Sequence, residues 1–183
     1  QATAGLDNQT ITITAQVLNN FLVESTVAGG PWYNAAWPYR KKITIDQTKV
    51  GSGGVSNFPV LISRTDTDLQ SKAQADGDDI LFTSSDGTTK LSHQIEKYVS
   101  GTGVLVAWVK VPSISSSAAT DLYMYYGNAA VASQQDAVNV WDSNFKSVWH
   151  LNQSPTGSTP QFSDATSNAN HGISQGAQVV GDS

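Results

Sequence analysis

Five aspartates between residues 66 and 79 could offer oxygen ligands to a hard cation. Asp76, Asp78 and Asp79 lie close together, and Asp66 and Asp68 precede them. Calcium binds several carboxylate oxygens at once, but these spacings do not match the calcium-binding loop that ends in glutamate. Turns and helix caps account for such aspartates more simply. We therefore predict no metal site and no cofactor, since the spacing does not support a structural calcium.

The histidines and glutamates form no catalytic constellation. His93, His150 and His171 lie far apart in the sequence, and no pair has the spacing of a metal site. His93 and Glu96 fall in a strand pattern, where their spacing puts them on opposite faces. Glu24 is the only other glutamate, so a glycosidase pair of carboxylates would need aspartates, most of which fit turns. No nucleophile elbow or phosphate loop is present, and we predict that this chain is not an enzyme.

The aromatic residues give the stronger indication of a binding surface. Trp32 and Tyr33 stand beside a Gly-Gly-Pro break, where we expect them to be exposed. Aromatic faces stack on sugar rings and dominate binding hot spots, although sheet packing would also account for them. Trp37 and Tyr39 lead directly into a strand pattern, so we expect these two to be packed. Trp32 and Tyr33 are therefore the predicted ligand-binding residues, with a glycan as the ligand.

The composition excludes several classes of protein. The 183 residues are 39% hydrophobic, which is enough for a core, but only 14% charged, a balance common in exported proteins. The net charge is −5 and the longest basic run is residues 40–42, which argues against a nucleic-acid partner. No apolar run reaches the length of a membrane span. Cysteine is absent, which excludes disulfides and thiolate nucleophiles.

Alternation of apolar and polar residues predicts strands along most of the chain. Short, regularly spaced strands separated by Gly, Asn, Asp and Ser turns are typical of an all-β, antiparallel β-sandwich or jelly-roll-like module. Residues 104–111 are apolar on both faces, as expected of a central strand. Pro59 within residues 58–62 favours an edge. The other predicted elements are a helix at residues 67–74 and strands at residues 10–17, 42–46, 79–83, 90–98 and 122–126.

An ordered series of motifs resembles a known family of exported proteins. These motifs are AWPYRKKITI (36–45), NFPVL (57–61), ADGDDILFT (75–83), VAWVKVP (106–112) and LYMYYGN (122–128). They resemble the domain-of-unknown-function family numbered twenty-three forty-one over roughly residues 32–143. That family is often followed by a concanavalin-like, laminin-G-type sandwich, and WHLN (149–152) with DATSNANHG (164–172) resembles the start of one. The resemblance implies a bacterial or archaeal extracellular or cell-surface protein, and it supplies no catalytic residues.

These patterns divide the chain into three predicted segments. We expect an N-terminal strand and linker in residues 1–30, a β-sandwich module in residues 31–143, and the incomplete beginning of a laminin-G-like sandwich in residues 144–183. The N-terminal strand, residues 10–17, could pair within its own chain or could complete the open sheet edge of a neighbouring copy. Its apolar face, which makes either pairing possible, consists of Ile11, Ile13, Ala15 and Val17.

Three functions from different classes remain open from the sequence. The first is a non-catalytic module for adhesion, which recognises a glycan or another surface protein. The second is a structural subunit of an extracellular filament or surface layer, in which copies of the chain join by donor-strand exchange through residues 10–17. The third is an accessory domain of a carbohydrate-active enzyme. We rank the first slightly above the second and expect an extracellular or cell-surface location without membrane insertion by this chain.

Overall fold

Two antiparallel sheets make up the part of the chain that the computed structural model describes, residues 31–153 and 161–173. A short helix, α1 (Thr67–Lys72), joins the second strand to the third, and 3-10 turns lie at Gln47–Lys49 and Ala137–Asn139. The strands are β1 (Tyr39–Ile45), β2 (Val55–Thr65), β3 (Leu81–Ser84), β4 (Lys90–Leu91), β5 (His93–Val99), β6 (Val104–Ile114) and β7 (Thr120–Tyr126). The sheet orders are β1-β7-β3-β4 and β2-β6-β5, which confirms the predicted all-β antiparallel sandwich.

The core lies between the sheets because apolar residues alternate along the central strands. On β6, Leu105, Ala107 and Val109 are fully buried. From the other sheet, Leu122 and Met124 of β7 pack into the same core. Every second residue of a strand faces the same side, and burying a side chain of this size contributes roughly 1.5–3 kcal/mol. The central position predicted for residues 104–111 is confirmed by the place of β6 between β2 and β5.

β1 and β2 are edge strands of the two sheets. Pro59 has no amide hydrogen to donate to a second neighbour, and β2 is an edge strand as this residue predicts. Ile43 and Ile45 of β1 pack against the core, in agreement with the alternation of residues 42–46. Each edge strand therefore keeps one side of its backbone unpaired within the described residues.

The strand predicted at residues 90–98 is divided into β4 and β5, which belong to different sheets. The division falls at Ser92, whose hydroxyl donates a 2.8 Å hydrogen bond to Asp136. Leu91 and His93 on either side are both buried. The chain can therefore pass from one sheet to the other while both neighbours of Ser92 still face the core.

β6 continues to Ile114 rather than ending at Pro112. The register between β2 and β6 skips both Pro112 and Asn57, and Asn57 has a positive φ of 51°. The proline lacks an amide hydrogen, so a local irregularity in β2 accommodates it without ending the pairing.

α1 begins where the sequence predicts a cap, and it stops before residue 74. Asp66 Oδ1 accepts hydrogen bonds from the amides of Asp68 and Leu69 at 2.9 and 3.4 Å. Lys41 Nζ lies 2.7 Å from the same oxygen, and Arg64 Nη2 lies 2.5 Å from Oδ2. Burial raises the pKa of Asp66, but the hydrogen bond from Lys41 and the charge of Arg64 outweigh it and lower the pKa overall.

The predicted strand at residues 10–17, with Ile11, Ile13, Ala15 and Val17, lies outside the described residues. Strand exchange through this segment therefore stays a prediction, as do the expected segment boundaries at residues 30 and 143. In the described ranges, no helix is long and apolar enough to cross a membrane.

Candidate functional site

Trp32 and Tyr33 lie over the outer face of the four-stranded sheet, the face turned away from the core. Trp32 Nε1 donates a 2.8 Å hydrogen bond to the Trp37 carbonyl, and its ring meets Tyr125 edge-on with centroids 5.3 Å apart. The Tyr33 ring contacts Trp37 at 5.3 Å, and its amide donates to the Tyr125 hydroxyl. Trp32 is 37% exposed and Tyr33 is half-buried. Their role in ligand binding stays a prediction, and Trp32 is the more accessible of the two.

Arg40 of β1 occupies one face of the Trp32 ring. Its guanidinium lies 4.4 Å from the ring centroids of both Trp32 and Tyr123, a geometry that attracts a cation to the aromatic face. Arg40 Nη1 also donates to the Pro31 carbonyl at 2.6 Å and to the Tyr125 hydroxyl at 3.0 Å. A ligand that stacks on Trp32 would therefore have to use the other face of the indole ring.

A second group of aromatic rings lies on the outer face of the three-stranded sheet. Trp108 of β6 points outward, and the chain that follows β7 brings Trp141, Phe145 and His150 over it. The ring centroids of Trp108 and Trp141 are 5.3 Å apart, and those of Trp141 and Phe145 are 5.2 Å apart. His150 stacks on Trp108 with centroids 6.5 Å apart. These separations are those of favourable aromatic pairs, so the four rings form one packed layer.

Two polar residues of β5 hold this ring layer in place. Glu96 Oε2 accepts a 2.7 Å hydrogen bond from Trp108 Nε1 and lies 3.1 Å from His150 Nδ1. Gln94 Oε1 accepts a 2.9 Å hydrogen bond from Trp141 Nε1 and lies 3.1 Å from His150 Nε2. Each ring nitrogen of the layer thus has an oxygen partner. The network fixes the orientation of the rings, because breaking it would leave partly buried N–H groups without acceptors.

An open groove of about 600 Å³ runs beside the ring layer. Phe58 and Trp149 line it and are 49% and 47% exposed, although both are large apolar side chains. Trp108, Trp141 and His150 contribute the packed layer to the same lining. We call this feature the aromatic groove. Exposed apolar rings beside a groove make it a candidate binding site.

A loop built around Asp164 supports Trp149 at the groove. Trp149 forms a β-bridge with Asp164, and its Nε1 donates a 2.8 Å hydrogen bond to the Asn170 carbonyl. The Asp164 carboxylate accepts hydrogen bonds from the amides of Val148 and Thr166 at 2.8 and 2.9 Å. Burial raises the pKa of Asp164, but these bonds outweigh it and lower the pKa to about 2. The carboxylate therefore stays ionised and ties the two segments together.

The other residues considered for metal chemistry take structural positions. His171 Nδ1 accepts a 3.0 Å hydrogen bond from the amide of Asp164. Asp79 is fully buried and accepts hydrogen bonds from the amides of Gln74 and Gly127. The amide of Asp78 donates to Asp76 in a tight turn. Over the described residues, no group of three or more His, Cys, Asp or Glu could hold a metal ion.

His93 and Glu96 lie on opposite faces of their sheet, as the strand pattern predicts. His93 is fully buried, with its ring 5.3 Å from that of Phe82. Burial lowers the pKa of His93 to about 4, so its ring is neutral at physiological pH. His150, rather than His93, is the histidine that approaches Glu96.

None of the residues that line the aromatic groove is among the predicted ligand residues. Phe58, Trp108, Trp141 and Trp149 come from four separate stretches of the chain, which only the tertiary fold brings together. The sequence pattern indicates the position of one groove residue. Trp108 alternates on β6 with valines and an alanine that face inward, so its side chain must point outward. Trp141 and Trp149 stand on either side of the expected segment boundary at residue 143, which assigned them to different modules.

Comparison with protein families gives a match over about half of the chain. A family model described as a domain of unknown function, DUF2341, matches residues 76–169. The matched range includes three tryptophans of the aromatic groove, Trp108, Trp141 and Trp149, and it extends past residue 143. No curated protein and no solved structure matches the chain. The laminin-G-like continuation stays a prediction.

Proposed function

We propose, for a chain that belongs to the DUF2341 family of domains of unknown function, that it is a non-catalytic recognition module of an extracellular or cell-surface protein. Its ligand is a glycan, which it binds in the aromatic groove. The observation that carries this proposal is the pair Phe58 and Trp149, two rings about half exposed beside a packed layer of further rings. Aromatic faces offer a large contact area with little conformational entropy to lose.

The rigidity of the groove supports binding of an extended ligand. Trp108, Trp141 and His150 are held by Glu96 and Gln94, so their rings need not be ordered when a ligand arrives. Preorganisation of this kind lowers the free-energy cost of association. The polar ends of these side chains are used within the protein, and the groove therefore presents mainly ring faces to its ligand.

Polar groups at the groove fit a ligand rich in hydroxyls. Ser147 lines the groove, and the exposed Asn152 lies close by, where its side-chain amide donates to the Glu96 carbonyl. Binding sites commonly combine an apolar surface with a small number of such orienting groups. Glu96 and His150 are both engaged with the indoles of the ring layer, which favours a binding role over acid–base catalysis.

The experiment that tests this proposal is a screen of the labelled full chain on an array of bacterial, plant and animal polysaccharides. We expect binding to at least one glycan class, and we expect Trp149→Ala or Phe58→Ala to remove it. Trp32→Ala is the matched control, because it removes a comparably exposed tryptophan from the opposite sheet. If Trp32→Ala abolished binding and Trp149→Ala did not, recognition would lie at Trp32 and Tyr33. Absence of binding to every glycan would argue for a protein ligand instead.

The accessory-domain alternative uses the same groove and differs only in the rest of the protein. In that case the chain would direct a catalytic domain to its polysaccharide. The identity of the bound glycan distinguishes the adhesion module from the accessory domain, because an accessory domain must bind a polysaccharide that the attached enzyme cleaves.

A further inference from the structure

A second groove opens between the two sheets at their free edges. It measures about 400 Å³ and is lined by residues 43–45 of β1 and residues 60–65 of β2. Within the described ranges, no strand pairs with the open side of either β1 or β2. Unpaired edge strands present N–H and C=O groups that another strand can bind. We call this feature the edge groove.

The edge groove has an apolar interior and a polar exterior. Ile43, Ile45 and Val60 are only partly buried and pack against the buried core. On the outer side of β1, Lys42 and Thr44 are exposed. Alternate residues of a strand face opposite sides. A strand that extends the sheet beside β1 must therefore be apolar on one face and polar on the other.

We propose that residues 10–17 of the same chain occupy the edge groove as an additional strand beside β1. Four apolar residues would fill the interior, and the polar residues between them would continue the exposed face of β1. The segment is eight residues long and contains no proline, which suits the seven-residue strand β1. β1 is the better partner, because β2 contains Pro59 and the irregularity at Asn57. The inward side chains are those of Ile11, Ile13, Ala15 and Val17.

The tether between the segment and the sandwich has a suitable length. The Pro31 carbonyl accepts a hydrogen bond from the Arg40 guanidinium on the outer face of the four-stranded sheet and lies beside Gly87 in the turn between β3 and β4. The tether must therefore cross part of this face before it reaches the free edge of β1. The tether is residues 18–30, and a chain of this length can span at most about 43 Å, at roughly 3.3 Å per residue. A short covalent tether that can span the distance gives the attached strand a high effective concentration at the edge groove. Pairing within one molecule is therefore favoured over pairing between copies.

Amide hydrogen exchange of the full chain, followed by NMR, tests this proposal. We expect the amides of residues 10–17 and the β1 amides that point away from β7 to exchange at least roughly tenfold more slowly than unprotected amides. Replacing both Ile11 and Ile13 with Asp should remove this protection at both places, since it puts charges into the apolar interior. Thr12→Asp is the matched control, because it places one charge on the exposed face and should leave protection intact.

Two further measurements separate loss of the added strand from unfolding, and pairing within one molecule from pairing between copies. Slow exchange of the β6 amides shows that the double variant still folds. If it does, a loss of amide protection that is confined to residues 10–17 and β1 supports the proposal. Light scattering over a range of concentrations identifies the donor of the strand. A monomer with protected edge amides supports the proposal. Dimers or polymers with protected edge amides would overturn it and assign the segment to a second copy, whether or not they dissociate on dilution. Unprotected edge amides in the unmodified chain would overturn it as well.

Discussion

Trp108 and Glu96 are joined by a 2.7 Å hydrogen bond from the indole Nε1 to the carboxylate Oε2 on the outer face of the three-stranded sheet. The register of β5 on β6 shifts between Ile95 and Lys97, so Glu96 is the extra residue of a β-bulge. Bulges redirect side chains at functional sites. The same carboxylate also lies 3.1 Å from His150 Nδ1, and one residue thereby orients two rings of the aromatic groove.

Glu96→Ala should destabilise the fold and loosen the groove. It leaves the Trp108 indole N–H without its acceptor and removes the carboxylate beside His150 Nδ1, so that the His150 ring keeps only its contact with Gln94. We expect a loss of about 1–3 kcal/mol for a partly buried group.

Asp121→Ala is the control. Asp121 makes a 3.4 Å pair with the exposed Lys42 and accepts an exposed hydrogen bond from the Thr44 hydroxyl. Water can replace both partners, and an exposed ion pair contributes about 0–1 kcal/mol. Urea denaturation of both variants measures the free energy of unfolding. Equal decreases in the free energy of unfolding of the two variants would show that Glu96 does not hold the ring layer.

The free energy of unfolding should fall as the pH decreases from about 6.5 to 4, because of His93. The unfolded chain protonates this histidine near 6.5, whereas burial lowers the pKa in the folded state to about 4. Between these values the unfolded state binds more protons, so acid favours unfolding by up to about 3 kcal/mol. Carboxylates with lowered pKa, such as Asp68 at about 2, lose their contribution only below their ordinary value of 3.8.

His93→Leu isolates this contribution. The variant has no titrating group at this position, so its unfolding free energy should change less between pH 6.5 and 4.5 than that of the unmodified chain. Denaturant titrations at several pH values give the comparison. Parallel pH profiles for the two proteins would mean that the pKa of His93 is not lowered in the folded state.

Gly103→Ala should be among the most damaging single substitutions. Gly103 has a φ of +69°, and a Cβ there would lie 1.9 Å from the Asp66 carbonyl oxygen. That oxygen belongs to the backbone at the start of α1 and cannot move aside like a flexible side chain, so we expect a loss of at least about 2–3 kcal/mol. Gly51→Ala is the control, because no atom lies within 4 Å of its Cβ position. A thermal midpoint for Gly103→Ala close to that of Gly51→Ala would contradict this assignment.

Arg40→Lys should free Trp32 while retaining the positive charge. Lysine cannot place a planar group between Trp32 and Tyr123 and also donate to Pro31 and Tyr125. We expect a loss of about 1–2 kcal/mol and a red shift in tryptophan emission as the ring becomes more hydrated. Lys42→Ala changes the next outward residue of β1 and should alter neither quantity appreciably. Unchanged emission in Arg40→Lys would mean that the guanidinium does not shield the indole.

Local patterns predicted the fold well because they depend on neighbouring residues. Alternation along β6, a helix cap at Asp66 or Thr67 and the proline of β2 each act within a few residues. The alternation and the edge position of β2 are confirmed, and of the two cap candidates the structure uses Asp66. The division of residues 90–98 at Ser92 was not predictable in this way, because both halves keep the same apolar alternation. Only pairing with different partner strands separates β4 from β5.

The aromatic groove was less accessible from the sequence, because its residues are distant along the chain. The outward position of Trp108 follows from alternation on β6, but nothing local indicates that Trp141 and His150 cover it. Trp32 has a local signal for exposure beside the Gly-Gly-Pro break and is 37% exposed. The contact of its ring with Arg40 depends on the tertiary fold and has no local signal.

Recognition in the aromatic groove can be observed by an NMR titration of the five tryptophan indole N–H signals with a polysaccharide that binds on the array. Single substitutions assign each signal to its residue. We predict that the indole signals of Trp149, Trp108 and Trp141 shift together with one saturating isotherm, while those of Trp32 and Trp37 stay in place. Shifts confined to Trp32 and Trp37 would contradict the account and place recognition on the four-stranded sheet.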